Sequence, residues 1–139
     1  MIALIDTNVI VDVFIRREPH YKFSQMVLLA IEEGLVIGYV SASAITDIFY
    51  IVSKHFKSKT NAKNQLKNHL LNYMNIAYVD GEMIKNALNI EWDDFEDALQ
   101  YCVGESIAVD YIITRNQKDF SKGIISVLSP EELIDIVSQ

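Results

Sequence analysis

Asp6 closes an apolar run, Ile2-Ala3-Leu4-Ile5, and is followed by Thr7-Asn8. A short apolar run of that kind reads as an interior strand of a parallel sheet, covered on both faces. An acid at its carboxyl end stands where open α/β sheets bind ligands. A carboxylate there calls for a positive partner, and a metal ion is the natural one. Further acids fall at comparable places. Asp47 lies about one turn into the helix expected after the second strand. Asp94 and Asp97 stand three apart near the start of another helix and share a face. Asn116 and Asp119 follow the fourth strand. Carboxylates forced together repel and shift one another's pKa unless a hard cation neutralises them. Mg²⁺ or Mn²⁺ takes such oxygen ligands, keeps waters, and can activate one of them against a phosphodiester.

Each acid also has a plainer use. Asp94 can cap its helix, and acids in a first turn favour the helix's positive end. Asp119, before Phe120, can be a turn residue. Asp47 sits among Ile45, Ile48, Phe49 and Val52, so the core stripe sets its direction. Asp6 is the hardest to explain as decoration. The order of all four along the chain matters more than any one of them.

The elements that must position these residues follow from periodicity and caps. Val9 to Ile15 continues the first strand as a short apolar helix. Tyr21 to Glu33 reads as a helix with Phe23, Met26, Val27, Ala30 and Ile31 on one stripe and Gly34 as its stop. Leu35 to Val40 is a second strand, and Ser41 or Ser43 can cap a helix from Ala44 to Lys54. Asn61 to Tyr73 is amphipathic. Ile76 to Val79 is a third strand, followed by a helix capped by Asp80. Asp93 or Asp94 starts a helix to about Glu105; Tyr111 to Ile113 and Ile124 to Leu128 are the last strands. Ser129-Pro130-Glu131-Glu132 opens the final helix with Pro at its first position. Strands alternating with helices predict an α/β three-layer sandwich around a mostly parallel sheet of about five strands.

The 139 residues are expected to form one domain, residues 1–139. Half are hydrophobic, with five Gly and two Pro, which excludes a disordered or low-complexity chain. The single cysteine, Cys102, cannot form an internal disulfide and fits a reducing cytoplasm. No secretory leader or membrane span is read, so the expectation is a soluble cytoplasmic protein without a membrane partner. A net charge of −7 argues against a protein that simply coats nucleic acid. The charges are uneven: Lys54, Lys57, Lys59, Lys63 and Lys67 form a basic run, and Glu91, Asp93, Asp94, Glu96 and Asp97 an acidic one.

Four segments together resemble the PIN-domain family, and nearly the whole chain takes part. They are the first strand with Asp6-Thr7-Asn8-Val9; Ser41 to Tyr50 around Asp47; Phe95 to Gln100 around Asp97; and Asp110 to Phe120. The resemblance implies a metal-dependent ribonuclease, commonly the toxin of a bacterial toxin–antitoxin pair similar to the VapC group. By it Asp6, Asp47, Asp97 and Asp119 carry catalysis; Asp6, Asp94, Asp97 and Asn116 hold Mg²⁺ or Mn²⁺; and Thr7, Asn8 and Thr114 support them by hydrogen bonds. Two positions depart from the family pattern. Asp47 stands where most members have the longer Glu, and Asn116 where many have Asp.

The partners implied are RNA, an antitoxin protein and a second copy of the chain, the last suggested by apolar Val13, Phe14 and Met26 on the first helices. RNA is expected to approach over a basic rim drawn from Arg16, Arg17, Lys57, Lys59, Lys63, Arg115 and Lys118. A catalytically impaired binding module of the same fold, a phosphoacceptor α/β domain and a structure-specific DNA nuclease are the competing readings.

Overall fold

The computed structural model describes residues 1–139. In chain order the elements are β1 (Ile2–Ile5), α1 (Thr7–Phe14), α2 (Tyr21–Glu32), β2 (Ile37–Ser41), α3 (Ala42–Phe56), α4 (Lys59–His69), β3 (Asn75–Ala77) and α5 (Gly81–Asn89). They continue with α6 (Phe95–Ser106), β4 (Tyr111–Ile113), a 3₁₀ turn at Gln117–Phe120, β5 (Ser126–Leu128) and α7 (Pro130–Val137). The sheet order is β3-β2-β1-β4-β5, and every pairing is parallel.

Both faces of the sheet are covered, which explains the unbroken apolar runs of β1 and β4. Ala3, Ile5 and Ile113 point into a core built with α1, α2, α3, α4 and α7. Leu4 and Ile112, on the opposite face of the pleat, join the core under α5 and α6. Gly38 in β2 lets Ile31 of α2 lie close: a Cβ there would stand 2.5 Å from Ile31 Cδ1. No helix is long and apolar enough to cross a membrane. Cys102 is buried, and burial pushes its thiol up, so it behaves as a core residue.

Local chemistry moved some expected boundaries. Leu35 does not begin β2. Its N–H donates to the Ala30 carbonyl at 2.9 Å while Gly34 N–H donates to Ile31 at 3.0 Å, closing α2 with Gly34 at a φ of 79°. Ser58, not read as a cap, accepts from Asn61 N–H at 3.0 Å and starts α4 earlier than expected. Phe14, expected on the surface, is only 8% exposed and belongs to the core; Val13 and Met26 are half-buried against it.

The order reverses at β1, which has β2 on one side and β4 on the other. Chains leave such a pair in opposite directions, opening a crevice at the strands' carboxyl ends. Asp6 follows β1 and Thr114 follows β4 at that crevice.

Candidate active site

Asp6 N–H still extends the sheet, donating to the Ile113 carbonyl at 2.9 Å. The residue then turns the chain into α1 as its N-cap, Oδ1 accepting from Thr7 N–H at 2.7 Å. From α6, Gln100 Nε2 donates to the same oxygen at 2.7 Å. Oδ2 accepts from Thr114 Oγ1 at 2.7 Å and from Asn8 Nδ2 at 3.2 Å. A carboxylate has about four acceptor positions, and donors from three elements meet those of Asp6. The side chain is held in place, 7% exposed. Thr114 is fully buried and also accepts from Asn116 N–H at 3.0 Å, so the loop after β4 is tied to the same carboxylate.

Over Asp6 opens a cleft of about 290 Å³, walled by Thr7, Asn8, Arg17, Asp94, Glu96, Asp97, Asn116 and Asp119. Asp94 does cap α6, its Oδ1 accepting from Asp97 N–H at 3.0 Å, and it faces the cleft as well. The crowding has an electrostatic cost. The Asp97 carboxyl is pushed from an ordinary 3.8 to about 7, first by burial and then by Asp94, Asp119, Asp6 and Glu96. Glu96 is raised too, by burial and then by Asp47, Asp6 and Asp94. Asp47 itself is exposed and is not on the cleft wall, although its charge reaches Glu96. As the side chains stand, no group of three or more acids is placed to hold a metal ion. What surrounds the cleft is a set of hard oxygen donors, the kind that Mg²⁺ and Mn²⁺ take.

The basic residues are distributed differently from the rim expected. Arg115 turns inward: Nε donates to Asp12 Oδ2 at 2.7 Å and Nη2 to Oδ1 at 3.2 Å. Asp12 is fully buried in α1 and accepts also from Ser24 Oγ of α2 at 3.1 Å. Arg16 stands over the Tyr21 ring, 5.8 Å from its centroid, and lines a groove between helices instead of the cleft. Its neighbour Arg17 is the arginine on the cleft wall. Lys57 caps the far end of α3, ten residues and roughly 15 Å beyond Asp47 along the helix axis. Lys59 and Lys63 follow in α4, and none of the three lines the cleft.

Residues 3–118 match a family model described as PIN domain. The chain belongs to the PIN-domain family. Among PIN-domain relatives it is 30% identical over 138 residues to Ribonuclease VapC1 of Aquifex aeolicus (strain VF5), covering 96% of this chain and 93% of that one. A toxin–antitoxin complex from Klebsiella pneumoniae superposes with a TM-score of 0.67 at 23% identity, over 92% of this chain and 97% of its counterpart. VapC20 of Mycobacterium tuberculosis, described as a sarcin–ricin loop cleaving toxin, superposes with a TM-score of 0.68 at 9% identity, over 90% and 98%. Those two likenesses establish the PIN-domain fold.

Asp12, Glu96 and Gln100 were not anticipated as site residues. Asp12 and Gln100 did leave a trace, each a polar residue inside an otherwise apolar stretch, Val9 to Phe14 and Ala98 to Val103. Such a residue is buried only with a partner. Gln100 is 1% exposed, and its Oε1 has no hydrogen-bond donor.

Proposed function

We propose that this PIN-domain protein is an endoribonuclease that hydrolyses RNA phosphodiester bonds with Mg²⁺ or Mn²⁺, and that it is the toxin of a toxin–antitoxin pair. The observation that carries the reading is the gathering of Asp6, Asp94, Glu96, Asp97 and Asp119 on one cleft at the switch point of the sheet. Its chemical class follows from a relative, 30% identical, that is named a ribonuclease.

The donor set suits a divalent cation. Several carboxyls share one cleft, and the mutual repulsion felt at Asp97 is relieved by positive charge. When bound, the cation would act as a Lewis acid, lower the pKa of a ligand water for in-line attack at phosphorus and steady the leaving oxygen. We assign Asp6, Asp97 and Asp119 as its principal ligands, with Asp94 and the Asn116 side-chain oxygen beside them. Glu96 supplies at the cleft wall the length that Asp47 lacks at the rim. Gln100, Thr114, Asn8 and the Thr7 N–H fix the orientation of Asp6. Since all its acceptor positions are met, one donor would have to yield for Asp6 to ligate a cation. Asn8 Nδ2 makes the longest of the four bonds and already has Thr114 Oγ1 as a second acceptor at 3.3 Å. It yields at the least cost. With a pKa of about 7, Asp97 is partly protonated near neutral pH in the bare site, and binding a cation there would release that proton.

The test is incubation of the full chain with an unstructured oligoribonucleotide and Mn²⁺. Cleavage is expected, lost with EDTA and lost in Asp6→Asn and Asp97→Asn while far-ultraviolet circular dichroism stays unchanged. Full activity in EDTA or in Asp6→Asn overturns the proposal. A second reading, an impaired PIN-domain binding module, has its support in the exposed Asp47 and in acids that do not yet close on one point. RNA binding without cleavage in the same assay is its outcome. An antitoxin and a second copy of the chain are the protein partners proposed. A small reading frame adjoining this gene, whose product copurifies and suppresses cleavage, tests the first.

A further inference from the structure

The acid cleft continues into a second, smaller one of about 190 Å³, with Asp94, Asp97 and Asp119 shared between the two. The rest of its wall adds one more acid, Asp93, but also an aromatic and two basic groups: Trp92, Lys118, Ser121 and Lys122. Neither lysine forms an ion pair; the salt bridges of the protein are Arg17–Asp12, Arg115–Asp12 and Lys85–Glu82. Lys122 Nζ donates to the Glu91 carbonyl at 3.1 Å, which leaves its charge uncompensated.

The platform that presents these groups is rigid. Phe120, 1% exposed, anchors the 3₁₀ turn between the two lysines in the core. After Lys122, Ile124 N–H donates to Tyr101 Oη at 2.8 Å. A Cβ on Gly123 would stand 2.3 Å from the Tyr101 ring, so that backbone lies flush against it. Trp92 is held by the same two aromatics, with ring centroids 4.9 Å from Tyr101 and 6.0 Å from Phe120. Both contacts are tilted or edge-on, and the indole remains half-buried with its uncovered part on the cleft. A fixed aromatic surface beside uncompensated ammonium groups is how single-stranded nucleic acid is held without sequence preference. Holding the groups in place beforehand reduces the ordering cost of binding.

We propose that Trp92, Lys118 and Lys122 form a nucleotide subsite beside the acid cleft, where one base of a single RNA strand stacks on the indole and its flanking phosphates meet the two ammonium groups. The subsite rests on the ribonuclease reading, since it places the strand so that the next phosphate lies over Asp97 and Asp119. Arg17, on the wall of the acid cleft, gives the strand a second basic contact there.

Trp92 is the only tryptophan, so the chain carries its own reporter. The full chain in EDTA is titrated with a labelled, unstructured oligoribonucleotide at several salt concentrations, following label anisotropy and tryptophan emission, with a gel confirming intact RNA. Quenching of Trp92 with the same midpoint as the anisotropy is expected. The Lys118→Ala/Lys122→Ala variant should lower the log-log salt slope by about 1.4, at ~0.7 per phosphate contact on a single strand. Trp92→Ala should weaken binding by roughly 5- to 150-fold, the range of one lost base stack; circular dichroism and melting identify any loss due to unfolding. Lys57→Ala/Lys59→Ala/Lys63→Ala should change neither readout. Binding by the wild type with unaltered tryptophan emission, or with an unaltered slope in the Lys118/Lys122 variant, overturns the subsite and leaves the ribonuclease reading standing. A slope lowered only by the Lys57/Lys59/Lys63 variant overturns it in favour of a path along α3 and α4. No RNA binding or cleavage by the wild type under any condition overturns both.

Discussion

Asp97 shows what the cleft does to a single residue. Its folded-state pKa of about 7 lies above the ordinary 3.8, so the folded protein keeps a proton that the unfolded chain has lost. Stability tied to that proton is fully present below about pH 4 and is lost as pH rises to about 7. In metal-free buffer, the melting temperature of Asp97→Asn should therefore gain on the wild type through that window and equal or exceed it at pH 8. Added Mg²⁺ should raise the wild-type melting temperature more than that of the variant, because ligand binding to the folded state adds stability. Equal pH profiles would show that crowding does not burden Asp97. At this scale the sequence was readable where a residue's place in an element fixes its surroundings. Asp6 had to lie at the sheet's carboxyl end because a strand had just ended. Gln100 was not readable as its partner: 94 positions separate the two, and only the packing of α6 against β1 brings them within 2.7 Å.

Among elements, the decisive tie joins the fully buried Asp12 to the partly exposed Arg115. It fastens the loop after β4 to α1, and through Ser24 to α2, so one carboxylate links the three segments. Thr114 and Asn116 flank Arg115 and are thereby held against Asp6 and the cleft. Removing Asp12 leaves Arg115 and Arg17, 20% and 43% exposed, without their shared acid, at a cost below the ~3–5 kcal/mol of a fully buried pair because both can turn to water. Asp12→Ala should lower the urea midpoint accordingly at an unchanged slope. Asp12→Leu/Arg115→Met should recover most of that stability, because apolar side chains fill the space at little cost and the remaining partner, Arg17, is exposed enough to stay hydrated. Cleavage should stay depressed in the double variant, since the loop has lost its directional tie. Recovery of both would make the pair structural only. Element type and order were legible from caps and periodicity, with Asp80 and Ser129 read as N-caps, while the fold selects Ser41 over Ser43 and Asp94 over Asp93. The strand order was not, because five short apolar strands carry no mark of which neighbours pair.

For the molecule as a whole, the net charge of −7 is concentrated by the fold instead of diluted. Acids gather at the switch point, and the sequence run of lysines is carried off along α3 and α4, away from the chemistry. Charge blocks could be read in the sequence, but their placement depended on which end of each helix meets the sheet. The same holds for the surface of self-association. With Phe14 in the core, the apolar residues left outside include Ile76 and Tyr78 at the edge strand β3 and just after it, and Ile84 and Leu88 of α5. Ile84 and Leu88 are one turn apart and share a face. Leu88 is 66% exposed and Tyr78 65%. An unpaired parallel edge, followed in the chain by a helix with an exposed apolar face, is a surface that proteins normally cover. The proposed homodimer places it there. Sedimentation velocity at micromolar concentration should show a dimer for the wild type. Ile84→Glu/Leu88→Glu should shift it to monomer with unchanged circular dichroism, because each buried apolar side chain contributes about 1.5–3 kcal/mol and two charges would replace them. A wild type that sediments as a monomer, or a variant that stays dimeric, would move the second copy to another face or remove it.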